Sequence, residues 1–286
     1  MVDIGGLRLH IRESGVGGPV VIFESGIAAS HLNWTTVQAG VARFTRACSY
    51  DRAGLGWSDV ATTPRVTSQL VEELHALLAA AGIAPPYVFA AHSFGGLVVN
   101  AYAVKYPEQV AGILLVDALS PVEWLHPTGA QWAALRRGIR LSHRGALLAR
   151  LGLVRLSLAM LLGGARRVPK LVARWSSGQA ESVLSRLVTE VRKMPAETWP
   201  MVRAHWCQPK CFRAMGQYLE SLPASSAEAS EIGAPPAQIP VTILSAANSV
   251  PEQRGKHVIT RHGHWIHLDD PELVMQAIRE MVELVR

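Results

Sequence analysis

Three residues far apart in the chain could act together as a nucleophile, a base and an acid. Ser93 sits in the run Ala-Ala-His-Ser-Phe-Gly-Gly (90–96), just after the apolar run Tyr-Val-Phe. Ala91 and Gly95, two before and two after it, are small. A sharp strand-to-helix turn needs that if the flanking backbones are to pass. A serine on such a turn has its Oγ raised above the C-terminal edge of a sheet, where the N–H groups opening the next helix also point. This is a nucleophile's position; the plainer alternative is a Ser-Gly turn that ends a strand. A hydroxyl is a weak nucleophile at neutral pH and needs a base. His262, His264 and His267 follow the last β-like run. His264, preceded by Gly263 in a loop ahead of a helix, is the candidate, and the other two fit surface or packing roles. The base needs a carboxylate to hold its tautomer and stabilise the imidazolium. Asp117, closing the run Ala-Gly-Ile-Leu-Leu-Val-Asp (111–117), falls at the same sheet edge. An aspartate that ends this strand for structural reasons is the alternative. The chain order is then Ser, Asp, His.

The elements that must hold these residues follow from periodicity. Short β-like runs at 7–14, 19–25, 45–51, 86–92 and 111–117 alternate with helical patterns, which implies a parallel-rich sheet in an α/β fold. Leu70, Leu74, Leu77, Leu78 and Ala81 recur at helical spacing, with Thr67 as N-cap and Val66 and Val71 as a hydrophobic staple. The helix after Ser93 runs from Gly96 to Tyr106 and ends at Pro107. The β pattern returns at 240–247 and 256–262, before a helix with Asp270 as N-cap, Pro271 as first residue and an apolar stripe of Val274, Ile278, Met281, Val282 and Val285. Residues 1–120 and 239–286 therefore read as one sheet domain, and 121–238 as a helical insertion, a cap, whose end (223–238) has the composition of a linker.

Composition sets limits. The 286 residues are 49% hydrophobic, in the range of chains that fold alone. Three cysteines, Cys48, Cys207 and Cys211, are too few for a disulfide scaffold. Cys207 and Cys211 sit four apart, as on one helix face, with only His205 close by, short of the four ligands of a zinc site. They read as structural or incidental thiols. The first residues lack the basic and apolar regions of a signal peptide, so a cytoplasmic home is the expectation. The apolar stretch 145–164 is broken by Arg150 and Arg155 and does not span a membrane. Charge is unevenly placed: residues 136–213 hold sixteen Lys and Arg against three acids, while the whole chain is +6. That basic segment could be a solvated helix face, attract an anionic substrate or make weak contact with an acidic membrane surface. It has no nucleic-acid reading motif.

With these residues in view, the chain resembles the α/β-hydrolase fold superfamily, specifically a serine hydrolase with a helical cap. The likeness rests on the elbow Ala-His-Ser-Phe-Gly-Gly (91–96), on Tyr50–Asp59, on the loop Glu24–Trp34 and on Gly263–Leu273. It covers about 170 core residues; the cap carries no such motif. The resemblance implies that the loop Ser25-Gly26-Ile27 supplies the Ile27 N–H to an oxyanion hole, paired with that of Phe94. Such donors are worth about 3 kcal/mol each in a transition state. The family's usual acid site, after the seventh strand, holds Asn248 and Ser249 here, with no carboxylate before Glu252. Relatives that place the acid after the sixth strand point to Asp117. Asp51 beside Arg52 is expected to form a structural ion pair with it. Trp34, His92 and Trp124 are expected to line the pocket. A serine at the elbow argues against the aspartate-based haloalkane dehalogenases and epoxide hydrolases. The expected activity is hydrolysis of hydrophobic carboxylic esters with no metal or organic cofactor. Carbon–carbon bond hydrolysis, acyl transfer and a non-catalytic ligand binder remain alternatives.

Overall fold

The computed structural model describes residues 1–162, 191–247 and 254–286. Its centre is an eight-stranded sheet: β1 (Val2–Asp3), β2 (Arg8–Ser14), β3 (Val20–Glu24), β4 (Ala47–Asp51), β5 (Tyr87–His92), β6 (Val110–Val116), β7 (Val241–Ser245) and β8 (Lys256–Ile259). The spatial order is β1-β2-β4-β3-β5-β6-β7-β8, with β1, β2 and β4 antiparallel to one another in turn and every pair from β4 to β8 parallel. All the β-like runs of the sequence form strands. Strands β3, β4 and β5 are buried along their whole length, which is why β3 and β5 read as continuous rather than alternating apolar runs.

Successive residues of each central strand face opposite layers. Ile22, Phe89, Ile113 and Leu115 enter one core with α2 (Thr67–Ala80) and α3 (Gly95–Lys105), through Leu70, Leu74, Leu77, Val98 and Tyr102. Val21, Phe23, Val88, Ala90, Leu114 and Val116 enter the other, with α1 (Thr35–Val41) and the C-terminal helix, through Val37, Val41, Val274, Ile278 and Met281.

Between β6 and β7 the described residues are mainly helical: α4 (Gly129–Arg150), α5 (Leu153–Leu162), α6 (Trp199–Trp206) and α7 (Pro209–Ile232). After β8 come α8 (Ile266–Asp269) and α9 (Pro271–Leu284), and Asp270 Oδ1 caps α9 by accepting from the Leu273 N–H at 3.0 Å. The capping box opening α4, Thr128 with Gln131, was not anticipated from sequence.

Two local expectations fail. Thr67 is not an N-cap; it is the first helical residue, and its hydroxyl instead donates to the Ser225 carbonyl of α7 at 3.0 Å. The linker-like segment from Pro223 is helix as far as Ile232, Pro223 included. Its small residues are not signs of softness. Ser225 and Ser226 are buried, and the Ser68 N–H donates to the Glu228 carboxylate at 2.8 Å, so their size lets α7 lie close against α2.

Candidate active site

Register brings the candidates to one edge. Pairing of β5 with β6 sets His92 opposite Val116, so the next residues, Ser93 and Asp117, leave the sheet at the same level. Both turn through left-handed backbone, with φ of 54° and 42°; the third non-glycine residue with positive φ among those described, Ala28 at 61°, lies in the loop after β3. L residues avoid this region, and strain of this kind collects at functional sites. Gly95 permits the elbow: a Cβ there would lie 2.8 Å from the Glu24 carbonyl oxygen and 2.9 Å from that of Ser25. The Leu119 N–H then donates to the Ser93 carbonyl at 2.9 Å and ties the two strand exits together.

His264 comes from the loop between β8 and α8. Its Nε2 is 3.1 Å from Ser93 Oγ and its Nδ1 is 2.6 Å from Asp117 Oδ2. The two ring nitrogens therefore face a hydroxyl and a carboxylate, the arrangement in which Nδ1–H donates to the acid and Nε2 is free to accept from serine. The His264 side chain is half exposed at 49%, whereas that of Asp117 is only 12% exposed, so the carboxylate is shielded and the imidazole is reachable. The other oxygen of Asp117 accepts from the Ala246 N–H at 2.9 Å, and its own N–H donates to the Leu244 carbonyl at 2.7 Å. Thus the segment after β7, which lacks the expected carboxylate, contributes a backbone donor that orients Asp117. Asn248, Ser249 and Glu252 lie outside the described residues.

His92 is not a pocket wall. It is 1% exposed, and its Nε2–H donates to the His264 carbonyl at 2.9 Å, bracing the loop that carries the base. Burial first, then the neighbouring His267 and His264, push its pKa far down, so the ring is neutral and Nδ1 bears a lone pair. Trp34 is also no wall: wholly buried in the core, it stacks on His267 at 4.4 Å and packs against Phe23. It closes the short turn before α1 on the covered side of the sheet. Trp124 is half-buried in the turn Pro121–Trp124, a few residues beyond Asp117. His267 is buried, with its pKa pushed to about 3 by that burial, and His262 lies 3.2 Å from Asp270.

Two predicted groupings are rearranged. Asp51 does not pair with Arg52. Neighbours at a strand end face opposite ways, so Asp51 meets His10 at 3.0 Å and His31 at 2.9 Å, while Arg52 Nη1 donates to Glu24 at 3.1 Å. Cys207 and Cys211 do not share a helix face: Cys207 ends α6, and Gln208, in extended backbone, separates it from α7. His10, His31 and Asp51 are the metal-ligand types that lie together among the described residues. The Asp51 carboxylate, however, also accepts the N–H groups of His31 at 2.8 Å and Trp57 at 3.0 Å. Burial opposes its charge, but these ring and backbone donors outweigh it and hold the pKa far below the usual range. The Asp51 carboxylate is already taken up by protein donors and works as a knot between loops.

Sequence reading missed Glu24. It is fully buried at the end of β3, accepts from Arg52 and from the Tyr50 hydroxyl, and has its pKa raised chiefly by burial against those two partners. Acidic and basic residues ending adjacent strands, Glu24 on β3 and Arg52 just beyond β4, were the available signal. A shallow surface cavity lined by His75, Tyr87 and Gln109 lies at the opposite sheet edge, away from Ser93.

A fold of this topology is that of the α/β hydrolases. The model of the family described as "alpha/beta hydrolase fold" matches residues 19–177, and the chain belongs to that family. It is 29% identical over 313 residues to a probable transporter, efuK, of Hormonema carpetanum, spanning 99% of this chain and 42% of that one. It is 28% identical over 122 residues to the putative carbamate hydrolase RutD of Cronobacter sakazakii, covering 41% of this chain and 45% of that protein. The crystal structure of Cfl2 from Burkholderia cenocepacia superposes with a TM-score of 0.70 at 21% identity, over 98% of this chain and 94% of the other. The chain spans less than half the length of the curated relatives it first matches.

Proposed function

We propose that the chain is a serine hydrolase that cleaves carboxylic esters of hydrophobic small molecules through an acyl-enzyme. The observation that carries this reading is the continuous relay from Ser93 Oγ to His264 Nε2, 3.1 Å, and from His264 Nδ1 to Asp117 Oδ2, 2.6 Å. Ser93 Oγ attacks the ester carbonyl carbon while His264 Nε2 takes its proton. The carbonyl oxygen becomes an oxyanion facing the Ile27 and Phe94 N–H groups. Collapse breaks the ester C–O bond, and His264 returns the proton to the leaving alcohol. Water, deprotonated by His264, then releases the acid and restores Ser93. Asp117 stays ionised throughout and stabilises the imidazolium. Exposed Val122 and half-buried Trp124, beyond Asp117, support an apolar acyl or alcohol group. The proposal includes a cytoplasmic setting; among the described residues no helix is long and apolar enough to cross a membrane.

The test is hydrolysis of p-nitrophenyl esters from acetate to laurate by the wild type and by Ser93→Ala. Turnover across chain lengths, lost by at least about 10⁴-fold in the variant, is expected. If both proteins are folded and equally inert, the ester reading is wrong. Carbon–carbon bond hydrolysis, acyl transfer or plain ligand binding would then take its place.

A further inference from the structure

Arg52 holds more than an ion pair. Its guanidinium is 3% exposed; Nη1 donates to Glu24 at 3.1 Å and Nη2 donates to the backbone carbonyl of Gly26. Its Cζ lies 5.1 Å from the Phe94 ring centroid and 4.9 Å from that of Tyr218 on α7, and the two rings are themselves neighbours, with centroids 6.2 Å apart. A buried pair needing only charge balance would stop at Glu24. Two of the additional contacts fall beside the N–H groups that face the oxyanion in the proposed reaction: on the Gly26 carbonyl, across the peptide bond from the Ile27 N–H, and on the ring of Phe94. The Gly26–Ile27 peptide is trans, since the cis bonds of the chain lie elsewhere. In a trans amide the C=O and N–H point in opposite directions. Holding the Gly26 oxygen toward Arg52 therefore aims the Ile27 N–H away from it. Gly26 itself abuts the elbow: a Cβ there would sit 3.2 Å from Ser93 Cβ and 2.9 Å from His92 Nδ1. The Ala29 N–H adds a second donor to the same carbonyl at 3.3 Å, closing the loop around left-handed Ala28.

We propose that Arg52 is a positioning residue that sets the oxyanion hole. It clamps the Gly26 carbonyl so that Ile27 N–H faces the reacting carbonyl, it pins Phe94 through its ring, and Tyr218 links this clamp to the helical segment above. The role rests on the serine-hydrolase reading. It differs from a structural role in what it controls, because a misaimed donor weakens the transition state more than substrate binding.

Two variants separate the roles. Arg52→Lys keeps a cation for Glu24, but a single ammonium cannot span Glu24 and Gly26 as the planar fork does. The double variant Glu24→Gln, Arg52→Met removes both charges, so no buried ion is left alone. The readouts are kcat and KM on p-nitrophenyl butyrate and the rate at which a fluorophosphonate labels Ser93. That reaction also develops negative charge on an oxygen in the same hole. We expect kcat and labelling rate to fall together by about 10- to 100-fold with KM within about threefold, as for loss or misplacement of an oxyanion donor. Folded variants that label and turn over within twofold of wild type, or that lose activity only through KM, would overturn the clamp and leave the hydrolase reading intact. A wild type that neither hydrolyses the ester nor takes the label would remove the nucleophile and the clamp with it. If both Arg52 variants fail to fold, Tyr218→Leu removes one of the two ring contacts without touching the ion pair. A drop of about three- to tenfold in labelling rate supports the clamp, and an unchanged rate counts against it.

Discussion

The strand exits that carry Ser93, Asp117 and the loop after β3 differ physically from the helices between β6 and β7. At the exits, backbone is strained and polar groups are buried: Glu24, Asp51, Arg52 and His92 are each at most 3% exposed, and each has at least one named partner. In the helical segment the backbone is regular, while Leu147, Leu151 and Leu156 are at least 50% exposed beside exposed arginines. Strain and buried polarity are costly, and they persist where a geometry must be held. Exposed leucine and arginine fix no geometry. In the proposed hydrolase, this contrast would give chemistry to the first region and contact with substrate or surroundings to the second.

The strongest attempt to break that contrast is to neutralise one carboxylate in each region. Asp117→Asn keeps shape but removes the charge that holds the His264 ring in its tautomer, and kcat on p-nitrophenyl butyrate is expected to fall about 10³- to 10⁴-fold. Glu220→Gln, on α7, breaks an exposed pair with His143 at 3.2 Å and should change kcat less than about twofold. Equal losses in steady-state kinetics would show that the two regions do not divide the work in this way.

Legibility in the sequence follows the same division. Ser93, Asp117 and His264 could be grouped as candidates because the first two close strand-like runs and the third lies in the loop just beyond one, and Gly95 and Gly263 mark the turns. The strands were readable because full burial makes β3 and β5 near-continuous apolar runs. What escaped depends on contacts between distant segments. Nothing local in Tyr-Asp-Arg says that Arg52 turns to Glu24 and Gly26 while Asp51 turns to His10 and His31. Likewise Pro223, Ser225 and Ser226 have the composition of a linker, and only the closeness of α2 turns their small size into a reason for packing. His92 was placed in the pocket because it neighbours the nucleophile, yet strand alternation carries its ring behind the sheet edge.

Acid should act on both regions, and the site of its effect sharpens the comparison. His205, on α6, lies against Trp57 with ring centroids 3.5 Å apart, and burial lowers its pKa to about 4. His267, beneath the active-site loop, is lowered to about 3, again by burial. Both are neutral in the folded chain where the unfolded chain, near 6.5, already binds protons, so stability is full above pH 6.5 and falls as pH drops toward 4 and 3. The loss is on the order of 1 kcal/mol per pH unit for each group, and urea midpoints at pH 7, 6 and 5 should decline accordingly. His267→Phe and His205→Phe should each flatten that decline. If only His205→Phe does, the contact between helical segment and sheet controls acid sensitivity; if neither does, burial of these rings is not its source.

The smallest expected effect concerns the exposed face itself. Leu147 and Leu151 lie one turn apart across the end of α4, with Leu156 on α5 and Arg140, Arg144, Arg150 and Arg155 exposed along the same helices. A solvated helix face needs no leucines, whereas a weak anionic-membrane contact uses both apolar area and about 1 kcal/mol per basic residue near the surface. Liposomes with a third phosphatidylserine should therefore co-pellet a fraction of the protein at 20 mM salt. That fraction should vanish near 300 mM as the screening length shortens. Leu147→Ser with Leu151→Ser should reduce pelleting several-fold while shifting stability by no more than about 0.5 kcal/mol each, as exposed substitutions do. Absence of pelleting at low salt would make this a solvated face. The exposed leucines would then have to be explained by an apolar substrate or by chain lying against them.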